Sequence, residues 1–222
     1  MDCRGHGKTR PLGVEEKLNF NSFADDLLAL MSYLKIPCAV VGGISMGAGV
    51  ALNFALRFPD NLVGLILSRP AWLTSAKPNN LQLLANVADL IREYGAIQGR
   101  KQFEKSTEYG TMLQEAPAVA KSLIGHFEHP RAVETVVKLE RMPGDVPNRI
   151  QTEWSTIGVP TLVQASRVDP VHPYEYATLL ADKIPRAQLK ELTSKSVDKD
   201  KHIRETKQYI GEFLRQFALK SG

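Results

Sequence analysis

Cysteine is scarce: Cys3 and Cys38 are the two in 222 residues. That is too few for a disulfide framework and suits a reducing compartment, so a cytoplasmic location is expected. Nowhere does an apolar run approach the ~20 residues needed to cross a bilayer, so no membrane partner is expected. Charge of one sign is also lacking. Lys and Arg number 28 against 24 Asp and Glu, for a net charge of +4. The densest basic stretch, Lys195 to Lys207, is broken by Asp198, Asp200 and Glu205. Aromatics make up 7%, and unbroken basic tracts with interleaved aromatics are what a nucleic-acid surface requires. Nucleic acid is therefore excluded as a partner. Internal repeats and low-complexity tracts are absent as well. No cofactor and no metal are expected, and the natural partner is a small molecule.

What remains is an ordinary globular composition, 43% hydrophobic and 23% charged, long enough for one large domain or a core with an insertion. Ser22-Phe23-Ala24-Asp25 reads as a helix start. Phe23, Leu27, Leu30, Met31 and Leu34 follow on one face, and Pro37 ends the helix. "CAVVGG" (38–43) and "NLVGLILS" (61–68) suit strands buried on both faces, with a helix over Met46 to Arg57 between them. Strands alternating with helices over short connections predict an α/β fold with a mostly parallel sheet. From Pro70 to about Gly158 no strand candidate occurs. Leu81, Leu84, Val87, Leu90 and Ile91 mark one helix, and 119–127, 132–139 and 150–157 mark others. "PTLVQAS" (160–166), a helix over 173–184, "AQLKEL" (187–192) and an amphipathic last helix restore the alternation. The expected organisation is a core of 1–70 and 159–222 interrupted by a helical lid, 71–158.

Gly43-Ile44-Ser45-Met46-Gly47 places G-x-S-x-G between a strand and a helix. In that setting the serine occupies a tight, strained turn that lifts its hydroxyl clear of the sheet, and small residues two positions either side relieve clashes. Gly43 and Gly47 supply them. The next backbone N–H, that of Met46, faces the same space and can hold an oxyanion. A serine needs a base held in one tautomer by an acid. Asp169 follows the strand "PTLVQAS" and would sit at its C-terminal end, where loops gather at one sheet edge. For the base, His202 follows the last strand, giving the order Ser45, Asp169, His202. His172 lies on the same loop as Asp169 and is set aside because it would not approach from the opposite side. His6 belongs to the opening loop, while His126 and His129 fall in the lid. Trp72 and Leu73 are the candidate substrate contacts.

"DCRGHGKT", "GGISMG", "SRVDPVHP" and a "KH" before the terminal helix, in that order, resemble the α/β-hydrolase superfamily of serine hydrolases over essentially the whole chain. Asp2, Arg4, Gly5 and Gly7 match the D-x-R-G-x-G loop of that family. The same residues fail as a phosphate loop, since G-x-x-x-x-G-K-[ST] would need glycine where Asp2 stands. The resemblance implies an esterase-like serine hydrolase acting on a small or medium ester, lactone or related carbonyl compound. It also implies that several strands should precede the opening loop, together with a second oxyanion donor. Met1 stands immediately before Asp2, so the chain reads as an N-terminally truncated core with impaired activity. The nucleophile strand would have an open edge, suited to a homo-oligomer. Ser45 excludes an aspartate nucleophile. An acyltransferase with the same triad, and a non-catalytic binding protein on the same scaffold, are the rival readings.

Overall fold

The computed structural model of the chain describes residues 1–9 and 11–218. Four parallel strands, β1 (Ala39–Ile44), β2 (Leu62–Ser68), β3 (Thr161–Ala165) and β4 (Ala187–Glu191), form one sheet in the order β1-β2-β3-β4. The helices are α1 (Phe20–Tyr33), α2 (Met46–Arg57), α3 (Gln82–Phe103), α4 (Thr107–Glu115), α5 (Pro117–Glu128), α6 (Ala132–Thr135), α7 (Val137–Arg141), α8 (Tyr174–Lys183) and α9 (Lys199–Ala218). The parallel arrangement follows from the crossovers: each strand is separated from the next by at least one helix.

Alternation along the two inner strands sorts the layers. Leu65, Leu67, Val163 and Ala165 join one core cluster with residues of α1, α2 and α8. Ile66 and Leu162 point the other way, onto Phe213 of α9. Both faces are therefore covered, which is why β2 and β3 read as continuous apolar runs. By contrast, β1 pairs with β2 alone among the described residues, and of its six residues Val41 alone is buried.

Helices α3 to α7 lie between β2 and β3 in sequence and build their own cluster from Val87, Ile91, Phe103, Leu123, Phe127 and Val136. A further cluster, with Phe20, Phe23, Val50, Trp72, Leu81, Val137 and Met142, joins these helices to α1 and α2.

Three expectations change. The first helix starts at Phe20, not Ser22. Asn19 caps it by accepting the Ser22 N–H at 2.7 Å, and Asp145 accepts the Phe20 N–H at 2.7 Å. An asparagine at the cap satisfies an otherwise orphaned donor as well as a hydroxyl does. Helix α4 was not anticipated, because it turns few apolar residues inward; Tyr109 and Met112 are the ones against the cluster. The helix expected over 150–157 is a tighter 3₁₀ segment, Gln151–Thr156, pinned by the fully buried Trp154.

Candidate active site

Ser45 stands between β1 and α2 at φ 57°, ψ −116°, a conformation that costs a non-glycine residue energy and recurs at functional turns. Its N–H extends the β1–β2 ladder to the Ser68 carbonyl at 3.0 Å. Its own carbonyl accepts the Ala48 N–H at 3.0 Å, which starts α2. The turn is so tight that a Cβ on Gly43 would lie 2.2 Å from the Gly47 carbonyl group. Gly47 itself is different, because a Cβ there would meet nothing within 4 Å. The expectation that both glycines avoid clashes therefore holds on one side only.

Asp169 and His172 occupy the loop leaving β3. The His172 N–H donates to the Asp169 carbonyl at 3.1 Å, closing a four-residue turn with Pro170 in its second position, where a fixed φ is favourable. That turn folds the imidazole back over the carboxylate. His172 Nδ1 lies 2.8 Å from Asp169 Oδ1, and Nε2 lies 2.9 Å from Ser45 Oγ. Since a carboxylate only accepts, Nδ1 carries the proton and Nε2 is left to accept from the serine hydroxyl. Burial by itself would raise the Asp169 carboxyl. The His172 hydrogen bond, the His172 charge and Arg69 outweigh it and hold that carboxyl below the usual carboxylate range. Arg69 contributes Nη1 at 3.4 Å from Asp169 Oδ2.

The imidazole against Ser45 thus belongs to His172, not to His202 as strand order implied. His202 is buried in the first turn of α9, with Nδ1 2.8 Å from the Thr193 carbonyl, so it ties the exit of β4 to that helix. Burial pushes its imidazole below the ordinary histidine value. The loop after β4 does reach the site, but it presents Ser194, Lys195 and Ser196. Ser194 Oγ donates to the Val168 carbonyl at 2.8 Å, and Ser196 Oγ accepts the Ala118 N–H at the start of α5 at 3.2 Å.

Ser45, Met46, Asp169 and His172 open onto a cavity of about 360 Å³. Trp72 lines it, and the indole Nε1–H donates to the Met142 carbonyl at 3.0 Å. Leu73 does not line it; the side chain packs against the core beside the sheet instead, which corrects its expected role as a substrate contact.

Residues 1–196 match the model of the family described as serine aminopeptidase, S33. The chain belongs to that family. Among curated relatives, this S33 chain is 26% identical to 3-oxoadipate enol-lactonase 2 of Acinetobacter baylyi, over 88% of its own length and 70% of the relative's. It is 27% identical to a putative carbamate hydrolase of Stutzerimonas stutzeri, over 81% and 66%. Among solved structures, the enol-lactonase of Burkholderia xenovorans superimposes with a TM-score of 0.72 at 21% identity, covering 96% of this chain and 79% of that one. A thermophilic esterase of Thermogutta terrifontis gives 0.68 at 24% identity, over 97% and 78%. The S33 chain is an enzyme with an α/β-hydrolase fold whose sheet, as described, has four strands.

In this S33 chain the opening D-x-R-G-x-G stretch is a structural clasp. Arg4 Nε and Nη2 each donate to Asp26 of α1 at 2.5 Å. Gly7 adopts φ 50° close to Asp2, whose Oδ2 a Cβ there would meet at 2.3 Å. Two site residues escaped the sequence reading. For His172 the sequence signal is Asp-Pro-x-His itself, a turn that returns on its first residue. Arg69 carried a weaker mark, a lone cation directly after a buried strand at the edge where the site forms.

Proposed function

We propose that the chain is a serine hydrolase of small or medium esters or lactones, working through an acyl-enzyme on Ser45. The unbroken relay from Ser45 Oγ through His172 to Asp169 is the observation that carries this reading. Ser45 Oγ attacks the acyl carbon while His172 Nε2 takes its proton. Asp169 accepts the Nδ1–H and favours the imidazolium that forms. The Met46 N–H, at the first position of α2, stabilises the oxyanion. The intermediate then collapses, and the leaving oxygen departs with the proton from Nε2. Water, deprotonated by the same nitrogen, releases the acid and restores Ser45. The helices between β2 and β3 act as the lid. Trp72, Leu84, Ile91 and Val119 line the cavity with apolar surface, which suits a compact acyl group. The enol-lactonase, carbamate hydrolase and esterase named among the relatives share ester-like carbonyl chemistry with this assignment.

Labelling with a fluorophosphonate tests the nucleophile, and the expected outcome is one adduct on Ser45 that disappears in Ser45→Ala. Turnover of a 4-nitrophenyl ester tests the base. His172→Ala should lower kcat by roughly 10⁵–10⁶, while His202→Gln, with an intact fold by circular dichroism, should keep kcat within about an order of magnitude. The reverse ranking would overturn the assignment of His172.

A further inference from the structure

The cavity in front of Ser45 has a second set of polar side chains that the relay does not use. His6 comes from the opening loop, His126 and His129 from the end of α5, and Lys138 from α7. Burial leads the causes that lower His6, His126 and Lys138 below their ordinary values, and it takes His126 to about 4. The charges acting on His126 are Lys138, His129 and His6, all of one sign. The charge acting on Lys138 is the cation Arg131. Asp2 bears on His6, but it is engaged by the Lys8 N–H and lies in the opening loop. Basic groups are thus gathered and partly desolvated without a carboxylate at their centre, which costs the free protein stability and becomes favourable once an anion arrives.

Donors are left over for such an anion. Lys138 Nζ gives one N–H to the Gly5 carbonyl at 2.7 Å and keeps two. His129 Nδ1 accepts the Arg131 N–H at 3.1 Å, so the ring proton sits on Nε2. His6 Nδ1 is 2.8 Å from the Arg4 carbonyl, which fixes its proton there and leaves Nε2 to gain one. Among the described residues no group of three or more His, Cys, Asp or Glu side chains is arranged to hold a metal ion. One ammonium beside imidazole N–H donors matches a single negative charge better than a phosphate dianion.

We propose that His6, His126, His129 and Lys138 form an anion subsite that receives a carboxylate carried by the substrate. In its reference to a substrate, the proposal rests on the Ser45 reading above. The substrate class narrows accordingly to esters or lactones with a free carboxylate at some distance from the scissile carbonyl.

Two measurements test it. The first compares 4-nitrophenyl hexanoate with its counterpart bearing a terminal carboxylate on the acyl chain. Wild type should favour the carboxylate by roughly tenfold or more in kcat/KM, expressed mainly in KM, and Lys138→Met should bring that ratio to about one. Lys138→Arg should restore part of the preference, and Lys101→Met, on the exposed surface, should leave the ratio unchanged. The second measurement needs no turnover: adipate is titrated calorimetrically into Ser45→Ala, with and without Lys138→Met or, should that variant fail to fold, His126→Gln. Saturable binding that is lost in the double variant supports the subsite. Equal preference for the two esters in wild type, or adipate binding indifferent to Lys138 and His126, overturns it. Absence of a fluorophosphonate adduct on a protein that still binds adipate would count against the nucleophile and not against the subsite.

Discussion

Ser45 is held at φ 57° by its surroundings, and Gly43 is the residue that leaves them room. Replacing it by alanine drives a Cβ into the backbone at Gly47, which neither chain segment can vacate without moving β1 or α2. Gly43→Ala should lower stability in urea unfolding by roughly 2–4 kcal/mol. Gly47→Ala places a better helix former in open space and should gain up to about 1 kcal/mol. From sequence the two glycines looked equivalent because the motif is symmetric about its serine, whereas the turn is not: one flank lies inside it and the other is already helix. Residue-level legibility failed at the histidine for a related reason. Strand order indicates where a loop arrives, and the loop after β4 arrives at the site as anticipated. It says nothing of a short turn that brings a second side chain back to the same place.

Elements were legible wherever apolar spacing was strong. Helices α1, α2 and α9 and strands β1 to β3 follow from periodicity and flanking prolines and glycines, because burial on one or both faces leaves that trace. Capping is subtler. Asn19 and Asp145 together satisfy donors at the start of α1, and Asp145 is 125 residues away from its partner Phe20. No local pattern records such a contact. Asn19→Ala should cost about 1 kcal/mol in thermal or urea unfolding, with the sheet and the Ser45 turn unchanged by near-ultraviolet circular dichroism. Helix α4 and the 3₁₀ segment around Trp154 were missed or misread for want of a long apolar stripe. One buried indole, donating to Asn148 Oδ1 at 2.8 Å, does the work that periodicity does elsewhere.

Across the whole molecule, the basic cluster shared by the opening loop, α5 and α7 links global stability to pH. His126 is lowered from 6.5 to about 4 in the folded protein, so the unfolded chain binds its proton more readily. Stability should therefore be full above about pH 6.5 and fall as pH drops towards 4. Of that loss, roughly 2 kcal/mol should belong to His126 after allowing for solvent screening. Urea midpoints taken across this range should show a flatter slope for His126→Gln than for wild type. Bound adipate should flatten it as well, by supplying the charge that the protonated ring lacks.

The turn from Asp169 to His172 also changes how the proposed machinery is assembled. Acid and base ride on a single short segment, so a displacement of that loop carries both together, and the relay has one joint to keep aligned instead of two. In that assignment the exit of β4 carries no proton relay; its Ser-Lys-Ser tip instead ties to Val168 and to the start of α5 through Ser194 and Ser196. Four consecutive residues form a portable cassette, and moving it intact to the same position in a related scaffold should transfer general-base function without rebuilding the terminal helix.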